Sequence, residues 1–240
     1  MTTTTAILRC HNNESTVERA LRSLVDQDLG ATLDIVAVDD GSSDGSWNCI
    51  EKFIPRVRAF RLTPNRGNVA AAYAGFEQAR RDYFFLLDAD DYAEPNMASL
   101  LTSALSARPS AAFAYCDYTE TDEAGHHRIV RIDGHVCRMI ACNALFRRDI
   151  VAREGFWDRA FLLPEYDLAV RLLCKHDAVH IEQAPYHYCR HSASVTRQDG
   201  FFGRAMRQLD ERYGHLSASG RFTDLTVAEC HASATPAAFI

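Results

Sequence analysis

The chain predicts an α/β fold with a mostly parallel central sheet flanked by helices, and three observations lead there. Short apolar runs with no polar alternation recur along the first half, as in strands buried on both faces. They alternate with helical patterns, which implies βαβ units joined by right-handed crossovers. Several of these runs end in polar or acidic turns, and the longest, Tyr83 to Leu87, leads into Asp88, Asp90 and Asp91. Open α/β sheets bind ligands at the carboxyl ends of their strands.

The first predicted strand is Thr4 to Cys10, followed by the turn His11-Asn12-Asn13-Glu14. Ser15 with Glu18 reads as a capping box, opening a helix with Val17, Leu21, Leu24 and Val25 on one face and its end near Gly30. Leu33 to Val38 is a second buried strand, running into Asp39-Asp40-Gly41, and a helix is expected from Ser46 to about Ile54. Val57 to Leu62 is a third strand, Asn65-Arg66-Gly67 its turn, and Val69 to Arg80 an alanine-rich helix. After the central strand come a helix from Asn96 to Ala107 and a strand from Ala111 to Cys116.

The second half is less regular. Strands are expected at Arg128 to Ile132, Ala144 to Arg147, Ala178 to Ile181 and Tyr186 to Cys189, with a turn at Asp133-Gly134-His135. Helices are expected after Arg147 up to Gly155, around Leu168 to Leu173 with Glu165 and Asp167 in the first turn, and from Phe201 to Tyr213. Residues 1–117 are expected to form one half and 118–214 a second half of the same domain, with 215–240 a tail expected to be mobile or an irregular strap.

The 240 residues suffice for one large core. A net charge of −6 gives no reason to expect nucleic acid as a partner. No apolar run is long enough to span a bilayer, and the N-terminus does not read as a signal peptide. Eight cysteines without a C-x-x-C pair argue against a zinc ribbon and for reduced thiols in a cytoplasmic protein. The turn CHNNES lacks the glycines of a dinucleotide site. Three clustered acids repel one another unless neutralised, and their oxygens suit a hard ion such as Mg²⁺ or Mn²⁺. An acidic turn capping the next helix is the plainer alternative.

The motifs together resemble family 2 glycosyltransferases of the GT-A fold. CHNNEST is similar to that family's opening strand-and-turn, with His11 where Tyr is usual. VAVDDGSSDGS, NRGNVAAAYAGFEQA, FFLLDADD, the segment ending PEYDLAVRLL and YHYCRHSASVT follow in the family's order. Ala72-Tyr73 stands where Arg-Asn is frequent. The resemblance implies inverting transfer of a sugar from a nucleotide-diphosphate donor, with a UDP-sugar favoured through Asp40, to a glycan or lipid-linked acceptor. Peripheral membrane contact would come through that acceptor.

By the same resemblance, Asp40 accepts from the base ring, while Cys10, His11 and Glu14 line the nucleoside pocket. Asp88 holds the ribose, and Arg66 touches phosphate or base. Asp90 binds Mn²⁺ or Mg²⁺, His191 completes the ligand set, and Ser194 lies nearby. Glu165 stands in the place of the family's Asp base, with Pro164 before it, and a helix N-terminus favours its ionised form. Asp167 is expected to pair with Arg171 one turn on. Two other functions stay open: a sugar-1-phosphate nucleotidyltransferase, disfavoured by a first turn without glycine or lysine, and a non-catalytic sugar-nucleotide binding module.

Overall fold

A computed structural model describes residues 3–132, 139–191 and 200–217. The expected turn at 133–135, Ser194 and residues 218–240 of the tail lie outside the described residues.

The parallel half follows from the apolar runs. Strand β1 (Thr4–Cys10) is buried along its whole length and pairs in parallel with β2 (Leu33–Asp39) and β4 (Tyr83–Asp88). Strand β3 (Arg58–Arg61) extends β2 in the same sense. The register sets Cys10 beside Asp39 and Arg9 beside Asp88, so three strand ends reach one edge together. Helix α1 (Val17–Val25) buries Val17, Ala20, Leu21 and Leu24. Helix α2 (Ser46–Glu51) follows the β2 turn, and α3 (Asn68–Gln78) packs Ala71, Ala72 and Gly75 inward against β1 and β2. Gly75 has to be glycine because a Cβ there would overlap the Cγ2 of Ile7.

The second half joins the same sheet. After the two-residue β5 (Tyr92–Ala93) and α4 (Met97–Ser106) comes the long strand β6 (Ala111–Thr121). Strand β7 (His127–Val130) pairs with β6, and β8 (Ala144–Arg147) fits antiparallel between β4 and β6. Helices α5 (Arg148–Glu154) and α6 (Pro164–Leu173), strand β9 (Asp177–Cys189) and helix α7 (Phe201–Ser217) complete the described chain. The sheet order is β3-β2-β1-β4-β8-β6-β9-β5, with β9 parallel to β6 and β5 antiparallel to β9. The expected 117/118 boundary lies within β6. One main core spans both halves, and a small second cluster seats Phe201, Met206 and Leu209 of α7 on Leu163 and Tyr166.

Three local expectations are corrected. The Ser15–Glu18 capping box is not made: α1 starts at Val17, the Asn13 carbonyl accepts from the Thr16 and Val17 N–H groups, and Glu18 instead pairs with Arg22 at 2.6 Å. Helix α1 ends at Val25, and a 3₁₀ turn at Gly30–Thr32 leads into β2. The two strands expected between Ala178 and Cys189 are one strand, β9, whose pairing with β6 breaks register between Ile181 and Tyr186. Pro185, which has no N–H to donate, sits in that interruption, and its carbonyl accepts from the Glu94 N–H at 2.7 Å.

Candidate active site

The turns after β1, β2 and β4 are tied to one another by backbone bonds. The Asp40 N–H donates to the Cys10 carbonyl at 2.8 Å, and the Ala89 N–H donates to the Arg9 carbonyl at 3.0 Å. His11 Nδ1 lies 2.9 Å from the Asp40 carbonyl. Asp40 is buried, and its Oδ1 accepts from the Arg66 backbone N–H at 2.9 Å, while the Arg66 side chain is exposed. Gly41 makes this closeness possible: its φ is +67°, and a Cβ there would press on the Asn65 backbone. Cys10, His11, Asp40 and Arg66 therefore form one contiguous group. Glu14 sits to its side, exposed, accepting from the Gly45 N–H at 3.1 Å ahead of α2.

The acidic cluster separates into carboxylates with different duties. Asp88, Asp90 and Asp91 each offer an oxygen within 4.8 Å of the others. Asp91 is buried and held inside the protein: the Tyr186 hydroxyl donates to Oδ2 and the Cys189 N–H donates to Oδ1 at 2.7 Å. Burial and its two acidic neighbours push its carboxyl well above the usual range. Asp88 is pinned by Arg9 at 2.6 Å, with the Cys142 thiol 3.5 Å from its other oxygen. Burial also raises the Asp88 carboxyl, against the pull of Arg9. Asp90, like Asp88, is partly exposed, and its Oδ2 lies 2.8 Å from His191 Nε2. A carboxylate and an imidazole converging beside further carboxylate oxygens suit Mn²⁺ or Mg²⁺, so the residues fit the ion that the motif implies.

Glu165, in the first turn of α6, lies near enough to Arg9 and Asp88 to interact electrostatically with both. It is partly buried, sharing a small pocket with Met139, Ile140, Ala141, Phe146 and Tyr166. Burial pushes its carboxyl up to about 7, although a hydrogen bond from its own backbone N–H and the Arg9 charge pull the other way. The support expected for the ionised form at the start of the helix is thus outweighed by desolvation. Asp167 pairs with Arg171 as expected, at 2.7 Å, but in full burial, with the Tyr213 hydroxyl donating to its other oxygen at 2.5 Å. Arg171 also donates to the carbonyls of Glu154, Gly155 and Phe156, which clamps the loop ahead of α6. Trp157 is buried between Phe156 and Arg9 and fills the space there.

The sequence reading passed over Arg9, Cys142 and Tyr186. Arg9 left a signal: it is the one charged residue in the otherwise apolar or uncharged strand TTAILRC. Cys142 and Tyr186 left none, since only the fold brings them to the acidic cluster.

Residues 5–155 match the profile of the family described as "Glycosyl transferase family 2", and the chain belongs to that family. The chain is 31% identical over 138 residues to the succinoglycan biosynthesis protein ExoO of Rhizobium meliloti (strain 1021), a match covering 57% of this chain and 36% of ExoO. It therefore spans well under two thirds of the curated relatives it matches. Among solved structures, fragment 1–349 of S. aureus TarS superposes with a TM-score of 0.76 at 16% identity, over 97% of this chain and 72% of the fragment. The same fragment has been solved in complex with UDP-GlcNAc. The mannosyltransferase PcManGT from Pyrobaculum calidifontis, in complex with GDP-Man and Mn²⁺, gives a TM-score of 0.66 at 15% identity, over 99% of this chain and 76% of that one. These likenesses establish the GT-A fold.

Proposed function

We propose that this chain is an inverting, metal-dependent glycosyltransferase that moves a sugar from a nucleotide-diphosphate donor, a UDP-sugar by preference, to a glycan hydroxyl in polysaccharide assembly. The supporting observation is the grouping of Asp88, Asp90 and His191 at the carboxyl edge of the parallel strands, with Glu165 in electrostatic reach of Asp88. Asp40, in the group with Cys10 and His11, receives the base, and Asp88 receives the ribose. Asp90 and His191 hold the divalent ion, which offsets charge on the departing diphosphate. The Glu165 carboxylate takes the acceptor's hydroxyl proton as that oxygen attacks the anomeric carbon. The bond to the diphosphate breaks on the opposite face, which inverts the centre. The relatives agree in kind: ExoO is named for succinoglycan biosynthesis, and the solved neighbours carry UDP-GlcNAc, or GDP-Man with Mn²⁺.

Thermal unfolding with UDP, GDP and TDP, each with and without Mn²⁺, tests this reading. A ligand of the native state raises the melting temperature by mass action. A Mn²⁺-dependent rise that is largest for UDP is expected. No rise with any of them would favour a binding module that has lost its donor site.

A further inference from the structure

Arg9 is a costly residue where it stands. It lies at the end of β1 with only 5% of its surface exposed, and its Nε has no hydrogen-bond partner. Its Nη2 binds Asp88 Oδ1 at 2.6 Å and lies 3.4 Å from the Cys142 sulfur, and the guanidinium sits 5.1 Å from the centre of the Trp157 ring. Apolar groups in place of a buried ion pair are commonly neutral or stabilising, and removing one member is costly where the other is left buried and uncompensated; Asp88 keeps 34% of its side chain exposed. The parallel register explains its reach: Arg9 is the direct neighbour of Asp88, and the same guanidinium acts electrostatically on Glu165.

We propose that Arg9 is a positioning residue for the transfer reaction, fixing the Asp88 carboxylate and supplying the positive charge beside which Glu165 works. This rests on Glu165 being the base. Among the described residues, the charged groups that act on Glu165 are Arg9 from β1 and Asp88 from β4, in opposite senses. Met139, Ile140, Ala141 and Phe146 bring no charge to its pocket. Without Arg9, Glu165 faces the Asp88 charge alone, and its ionisation moves to higher pH. Asp88, 34% exposed at its side chain, would still be solvated but free to rotate.

Arg9→Met and Arg9→Lys test the proposal, read by melting temperature, kcat, donor KM and the pH profile of kcat with Mg²⁺. Arg9→Met is expected to melt at or above the wild-type temperature and to lose at least about tenfold in kcat. The acidic limb of its profile should move up by about half a unit or more. Arg9→Lys keeps the charge on a shorter side chain without the planar guanidinium, so its limb should stay near wild type while kcat recovers only in part. Wild-type kcat and limb in Arg9→Met, or a loss of activity matched by a loss of fold, would overturn the proposal. The Glu165 carboxyl is also read without turnover, from its ¹³C signal in labelled, metal-free protein. An upward move in Arg9→Met sustains the Arg9–Glu165 link even if no transfer is detected for the wild type, and no move removes it. Absent transfer in the wild type, by contrast, removes the catalytic reading alone.

Discussion

Glu165 is drawn in two directions, and the outcome fixes a pH dependence. Burial raises its carboxyl to about 7 while a hydrogen bond from its own backbone N–H and the Arg9 charge lower it. A general base works only when ionised, so turnover should be full above about 7 and fall as pH drops through that value. A kcat profile in a buffer series checks this, and a limb near the ordinary glutamate range would place the base elsewhere. Glu165→Gln should keep donor binding and lose about two or more orders of magnitude in kcat, the scale of general-base catalysis. For Asp90, partly exposed, Asp90→Ala should change the melting temperature of the metal-free protein little, within about 0.5 kcal/mol. It should abolish the Mn²⁺-dependent rise with nucleotide, and a surviving rise would move the ion to other ligands. At this scale the grouping of the three aspartates was legible in the sequence, but not how they divide. Asp91 reads like Asp90 in the string DADD, and only the fold buries it against Tyr186 and the Cys189 N–H.

Elements were most legible where one local pattern decided them. Strands β1, β2 and β4 each carry an apolar run, and burial on both faces left those runs no other setting. Boundaries set by competing local bonds were not legible: Ser15 and Glu18 match a capping box, yet the Asn13 carbonyl closes the turn onto Thr16 and Val17 and the Glu18 carboxylate goes to Arg22. Strand β9 was read as two because Pro185 interrupts it, whereas pairing with β6 on both sides of the interruption holds it as one. Helix α3 yields a prediction of its own. It lies against β1 through Gly75, where any Cβ collides with Ile7, a residue fully buried in the sheet. Gly75→Ala gains helix propensity of about 1 kcal/mol but forces α3 off the sheet, and overpacking of this kind costs about 1–3 kcal/mol. A lower urea midpoint with unchanged slope is expected. A raised midpoint would mean that Ile7 yields without loss.

The whole molecule is governed by the continuity of its sheet. The first half carries the proposed donor site on parallel strands, and the second brings Glu165 and His191 from α6 and the end of β9. These contributions meet because β8 pairs with β4 on one side and β6 on the other, so no gap in hydrogen bonding separates the halves. Phe84, Phe113 and Phe146, one from each of β4, β6 and β8, pack in the same core across that seam. Unfolding either half would strip the other of a paired strand edge and of buried aromatic surface. The described residues should therefore unfold in one transition, with far-ultraviolet circular dichroism and tryptophan fluorescence coinciding along a urea titration. Trp47 and Trp157 report from opposite sides of the seam, so the comparison samples both halves. A nucleoside diphosphate with Mn²⁺, bound mainly by the first half, should raise the midpoint seen by both probes equally. Two separated transitions, or a ligand that moves only one of them, would show that the acceptor-side half folds on its own and that Glu165 reaches the donor by docking of two units.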